Sequence, residues 1–437
     1  MTRPAHSKLV ASWVISTSVA LAAQAHATAG TAFSETSRSA ALADAVSARP
    51  GDAGTILLNP AGLADIDEPM VLLGGHADHL SAWFARTGEP RTDLGRSFGG
   101  FSIAAATPLP GPSWLRRFRF GIALDLPAQY ALKVSVSDRL DQPTSPIYDG
   151  PPDRMSASAA LAARVFDWLR LGAGVGIVPS LSLPTSVTYV AGRDPSVDRS
   201  VEVRLDSSLQ IGFSPFVGLR AQPADGVGVA LVYRAASFSR ATGSQRTVAG
   251  GILADDPIDF YEGWAPAELV LGGALGPHRG WSISTDLTLH RWSRYESAFD
   301  TALVPPLHDT LSIRSGIEWA AARAVAVRAG VALEPSPIPN QYGVTNYLGA
   351  DTLVLALGGG VDLRKLTGAP LLVDAHVRSR LGATQSALKR PNALPDASSD
   401  LPGQQIDNLG YPGFRSHADE MQVGLTVTIF VGKDKKR

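Results

Sequence analysis

The chain has 437 residues, a formal net charge of −1 and no cysteine. The near-neutral balance excludes nucleic-acid binding through a basic surface, and the lack of cysteine excludes a disulfide scaffold and thiolate chemistry. Hydrophobic residues reach 45%, charged residues only 18%, and there are 43 glycines, a balance that suits a chain with one face in lipid.

At the N-terminus, Arg3 and Lys8 flank an apolar stretch from Leu9 to Ala23, closed by small residues at Ala23-Gln24-Ala25 and Ala25-His26-Ala27. This is the pattern of a secretory signal peptide over 1–27, too short and too Ser/Thr-rich for an anchor. No later apolar run has the length of a spanning helix. The stretch TILLNPAGLADID, from Thr55, forces a tight turn at Asn59-Pro60-Ala61-Gly62. Pro60 lacks an N–H and pushes Asn59 into extended backbone. A first spanning strand follows near Met70–Ala77. A third reads FRFGIALDLPAQYAL, and Pro127 within it cannot donate to a neighbouring strand.

Further on, the period is two. VEVRLDSSLQIGF sets Val201, Val203, Leu205, Leu209, Ile211 and Phe213 against Glu202, Arg204, Asp206, Ser208 and Gln210. WSISTDLTLH sets Trp281, Ile283, Leu287 and Leu289 against Ser282, Ser284, Asp286, Thr288 and His290. LSIRSGIEW, VAVRAGVALE, LLVDAHVRSRL and MQVGLTVTIFV repeat the pattern. Such strands have one apolar and one polar face. A soluble sandwich alternates too, with the apolar face inward. Many of these runs are about ten residues long, and their polar faces carry both charge signs and glycine. Short connections such as WAAAR alternate with long segments around 136–156, 236–262, 294–309, 335–350 and 382–418. Trp264, Trp281, Trp292, Trp319 and Tyr233 fall near strand ends, as interfacial girdles do. The expectation is an all-β chain, a transmembrane antiparallel β-barrel over 70–431. About a dozen strands are countable, and fourteen are expected.

The segment SRSAALADAVSARPGDAGTILLNPAGLADID, from Ser37, resembles the N-terminal region of the FadL/TodX family of outer-membrane channels for long-chain fatty acids and other hydrophobic compounds. GWAPAELVLGGAL, WSISTDLTLHRWSRYESAF, LSIRSGIEW, VAVRAGVALEPSPIPN and ADTLVLALGGGVDL resemble later stretches of that family in the same order. The chain departs from it at the end, where Phe430 is followed by Val431 and a basic tail over 432–437. The resemblance implies a hatch over 28–69 inside the barrel lumen, with Asn59, Pro60, Ala61 and Gly62 as its gating turn. It implies passive uptake from a groove among the loops to a lumenal apolar pocket, then sideways through the wall, where a kinked third strand places Pro127. Pro127 at the strand's outer end, breaking nothing, is the competing reading. The implied location is the outer membrane of a Gram-negative bacterium.

Leu57, Leu58 and Leu63 flank the turn and are candidates for the pocket floor, although the packing of the hatch itself would explain them equally. A ligand carboxylate would favour an inward arginine, and Arg314, Arg328 and Arg378 are the candidates. Arg204 and Arg380 share their parity, and pairing with Glu202, Asp206, Glu318, Glu334 and Asp374 is the plainer reading.

No enzyme is expected, since GFSPF at Gly212 lacks the last glycine of a nucleophile elbow. GAGVG at Gly172 is not followed by a helix and reads as small residues on a crowded inner face. His76 and His79 should point to opposite faces, so no metal and no cofactor are expected. The partners are then a hydrophobic small molecule and membrane lipid, around a monomer. The alternatives are a general porin and a structural or adhesive barrel.

Overall fold

A computed structural model describes residues 36–127, 156–179, 185–190, 200–208, 211–249, 252–295, 306–342, 347–390 and 411–432. Fourteen strands form the wall: β1 (Met70–Arg86), β2 (Arg96–Pro108), β3 (Phe118–Pro127), β4 (Ser156–Phe166), β5 (Leu169–Pro179), β6 (Ile211–Ala224) and β7 (Val227–Arg234). The round continues with β8 (Glu268–His278), β9 (Trp281–His290), β10 (Thr310–Ala322), β11 (Val325–Glu334), β12 (Thr352–Asp362), β13 (Leu371–Gly382) and β14 (Gly413–Phe430). Each pairs with its chain neighbours, and β14 returns to β1 in an antiparallel ladder from Met70↔Phe430 to Arg86↔Phe414. The barrel is therefore closed, and its wall leaves no free edge.

The alternation read from the sequence sorts the side chains. Phe101, Leu275 and Leu357 stand about 60% exposed on the outside, whereas Thr288, Asp374 and Arg378 are buried inside. An apolar outer surface around a polar interior is the inverse of a water-soluble sandwich and fits a barrel in lipid. Trp281 and Trp319 stack outside with ring centroids 5.1 Å apart, at the end where strands join through short turns. Arg279 and Gly280 make one such turn with φ of 51° and 86°, the double positive φ of a type I′ hairpin. The opposite end carries all the long connections.

Three expectations need correction. The run VEVRLDSSLQIGF is not one strand. Ser200–Ser208 belongs to a separate four-stranded sheet with 185–190, 237–249 and 252–265, and the barrel strand resumes only at Ile211. That sheet is built from the long connections after β5 and β7, so the segment around 236–262 is largely strand, and Arg204 lies outside the barrel wall. Both structures share the period of two, so alternation could not separate them. The first strand begins at Met70 as expected but extends far beyond Ala77, to Arg86. Finally, Trp292 is no girdle residue: it is buried beneath the long loops against Leu307. The side chain of Trp264, the proposed signal peptide and the basic tail beyond Gly432 lie outside the described residues.

Candidate functional site

Residues 36–66 lie inside the barrel, buried against its wall. Thr36 caps a short helix, Ser37–Ala41, by accepting from the Ser39 N–H, and its hydroxyl donates to Asp52 Oδ2 at 3.1 Å, closing the segment on itself. A second helical turn, Thr55–Leu58, runs into the Asn59-Pro60 turn and a 3₁₀ stretch, Pro60–Asp65. The many alanines let this backbone approach the wall closely, where the wall itself is glycine. A Cβ added at Gly172 would meet the backbone of Pro60 and Ala61, and one at Gly330 would meet the backbone of Leu42 and Ala43. The GAGVG stretch is such a face: Gly172 exists to admit the Asn-Pro turn.

Asn59 is fully buried and uses its whole amide. Its Oδ1 accepts from the Ala61 N–H at 3.0 Å. Its Nδ2 donates to the Ser47 carbonyl at 2.8 Å and to Leu219 of β6 at 3.4 Å. An aspartate has no donor for the last two, so the residue must be an amide. Its φ of −155° and ψ of 106° are the extended values a residue before proline takes. Gly62 packs against Pro50. Leu63 is fully buried with Ile56, Leu72, Ala104, Ala160 and Phe216 in the main apolar core. Leu57 and Leu58 are only half-buried. The Leu57 carbonyl accepts from Arg234, the last residue of β7, and the Leu57 side chain packs against that same core.

Polar contacts tie the segment to the wall around the barrel. The Ser47 N–H and hydroxyl both donate to Asp286 of β9, at 3.0 and 2.7 Å. Arg38 donates to Glu318 at 3.2 Å, and Ser37 N–H to Thr426 at 2.9 Å. The three candidate arginines are all engaged by carboxylates. Arg314 meets Glu334 at 3.1 Å, Arg328 meets Glu318 at 2.7 Å and Asp374 at 2.5 Å, and Arg378 meets Asp44 of the plug at 3.1 Å. Arg380 shares Glu334 at 2.5 Å. At the short-turn end, Arg170 donates to Asp65 at 2.9 Å, Arg220 pairs with the other Asp65 oxygen, and Arg164 stands 3.8 Å away.

The partners Asp44, Ser47, Asp65 and Asp286 were not singled out from the sequence. Asp286 offered the one available signal, an inward carboxylate with no arginine or lysine on its own strand. Pro127 is the last residue of β3, opposite Gly100, and both ladders of β3 keep register along the described strand. His76 faces inward, 3.4 Å from Asp78, whereas His79 meets Ser97 at 2.9 Å on the outer side. Among the described residues, no group of three or more His, Asp or Glu is placed to hold a metal ion. Ser214 of GFSPF donates to the Ala235 carbonyl at 2.8 Å.

Two apolar clusters lie under the long loops. Phe84 and Phe414 face each other at 5.3 Å beside Leu348 and Ala387, and Trp292 and Leu307 pack with Tyr295, Ile338 and Tyr347. Burial pushes the Tyr347 hydroxyl up to about 12 and raises that of Tyr295 as well.

A closed fourteen-strand antiparallel barrel, apolar outside and occupied within, is the architecture of an outer-membrane transport protein. The profile of the outer membrane protein transport family (OMPP1/FadL/TodX) matches residues 16–406, and the chain belongs to that family. Its fold is similar to a Pseudomonas aeruginosa FadL homologue, with a TM-score of 0.62 and 16% identity over 90% of this chain and 98% of that one. It is also similar to the P. putida toluene transporter TodX, with a TM-score of 0.56 and 15% identity over 90% and 98%. For the monoaromatic hydrocarbon channel CymD the TM-score is 0.55, with 14% identity over 90% and 97%. No curated protein sequence matches the chain. The family is one of transport channels for hydrophobic compounds, and the barrel fits its outer-membrane location.

Proposed function

We propose that this protein takes up long-chain fatty acids or similar hydrophobic compounds passively across the outer membrane, with the N-terminal segment as a movable hatch. The reading is supported by the burial of residues 36–66 inside the barrel, with Asn59 fully buried and hydrogen-bonded among them. A general porin needs an open aqueous lumen, and an adhesive barrel needs no seat for a plug. The apolar clusters around Phe84 and Trp292 support capture of an apolar ligand among the long loops. Leu57 and Leu58, both half-buried, are assigned to the floor of the pocket. Arg378 ties the wall to the hatch through Asp44, whereas Arg314 and Arg328 pair with carboxylates of the wall itself. The lateral exit lies at the outer part of β3, where Pro127, opposite Gly100, has no N–H to give a neighbouring strand. A second reading, with monoaromatic hydrocarbons as the substrate, is favoured by the similarity to hydrocarbon channels.

The test is uptake of labelled oleate and labelled toluene by intact cells expressing wild type, Asn59→Ala or a deletion of Leu57–Leu63. Faster oleate entry with wild type and altered rates in the variants support the fatty-acid reading. Faster toluene entry alone moves the substrate to hydrocarbons. If assembled wild-type barrels accelerate neither, the channel reading falls and the adhesive barrel takes its place.

A further inference from the structure

Between the N-terminal segment and strands β6–β8, at the short-turn end, lies a cavity of ≈ 290 Å³ whose lining includes Arg49, Asp65, Arg220 and Gln222 together with Val227, Ala274 and Pro277. Three guanidinium groups, of Arg164, Arg170 and Arg220, converge on the single carboxylate of Asp65. Arg49 adds a fourth cation. Its Nη2 stands 3.5 Å from Glu318, which already serves Arg38 and Arg328, and its Nη1 is buried with no hydrogen-bond partner among the described residues. The Nε of Arg164 is in the same condition. A buried guanidinium N–H without an acceptor is costly, so cationic groups in excess of carboxylates mark a place for another anion. Val227, Ala274 and Pro277 supply the apolar part of the lining. At about 30 Å³ for each water-sized group, the cavity holds roughly ten such groups, the heavy-atom count of an eight-carbon acid.

We propose that this cavity binds an anionic amphiphile, with its carboxylate on Arg49 and Arg220 and its tail along Val227, Ala274 and Pro277. The site lies on the far side of the plug from the apolar clusters beneath the long loops. It deepens the channel reading, on which it rests, by adding a second station that selects acids over neutral hydrocarbons.

The test is equilibrium dialysis of labelled octanoate against the full chain in neutral-lipid nanodiscs, with binding to empty nanodiscs subtracted. Octan-1-ol and inorganic phosphate are run in parallel. Saturable octanoate binding that weakens with salt is expected, with no saturable octanol binding and weak phosphate binding. Arg49→Met should weaken octanoate about tenfold. Gln222→Trp, which fills the rim of the cavity without changing charge, should abolish it. Octanoate binding unchanged in both variants, or absent from wild type, overturns the site. Phosphate binding as tight as octanoate overturns the amphiphile and leaves an inorganic-anion site. Saturable octanol binding of equal strength overturns the role of charge. Uptake of toluene and oleate by the same variants keeps the two readings apart. A wild type that binds octanoate but transports neither compound sinks the channel and keeps the site. Intact uptake with no octanoate binding does the reverse.

Discussion

The plug meets the wall in two different ways. At its middle, around Asn59-Pro60 and Leu42-Ala43, backbone lies on wall glycine, and the hydrogen bonds at Asn59 are buried and neutral. At the short-turn end, contact is ionic. Asp65 keeps about 29% of its side chain exposed and Asp67 about 77%, each shared among arginines. Close steric contact has no partial state, whereas a half-exposed ion pair exchanges with water and salt at little cost.

The largest effect expected from breaking this contrast is at the centre. Gly172→Leu places a side chain where the backbone of Pro60 and Ala61 lies and should unseat the turn, at a cost of more than about 4 kcal/mol. Channel conductance in planar bilayers should rise from near zero to that of an open barrel, and a closed Gly172→Leu channel would refute the close-contact account. Next comes Asp286→Ala, which leaves the Ser47 N–H and hydroxyl without their acceptor, at about 2–4 kcal/mol. Hydrogen exchange at the amides of 46–48 should accelerate by about one and a half to three orders of magnitude, while exchange in β14 stays unchanged. Asp65→Asn should matter least of the plug variants, at about 1 kcal/mol or below because the group is part-exposed. Its effect on exchange at 64–66 should vanish in high salt. A salt-independent effect would put the short-turn end in the same class as the centre.

The smallest effect lies at the loop end. Burial lowers the Lys389 ammonium, which sits 5.2 Å over the Phe414 ring, to about 8. The unfolded chain keeps this proton to about pH 10.4. Between the two values the unfolded state therefore binds more protons, and local stability rises with pH. The cost of burying the charge is present in full below pH 8. Amine labelling followed by mass spectrometry should show Lys389 reacting with a midpoint near pH 8, and a midpoint at the ordinary lysine value would remove this assignment.

Much of this was legible in particular residues. Ser282, Ser284, Asp286, Thr288 and His290 read as one face and are one face, because a strand allows only two directions for a side chain. The sharp turn at Asn59-Pro60 was readable because proline constrains its own backbone and that of the preceding residue. The same logic failed at Glu202 and Arg204, since a sheet beyond the membrane alternates as a wall strand does. It was also silent on Asp44 and Asp65, which alternate with nothing and sit in irregular backbone.

Alone, then, the sequence determined the inward and outward faces of the wall, the strand from Met70 and the position of the Asn59 turn, all consequences of local backbone geometry. Which groups meet was decided only in the folded barrel. Arg378 finds Asp44 across 334 positions of chain, and Ser47 finds Asp286 across 239. Closure of fourteen strands in one register brings their lumenal faces around a common space, and nothing in the spacing of residues along the chain encodes that.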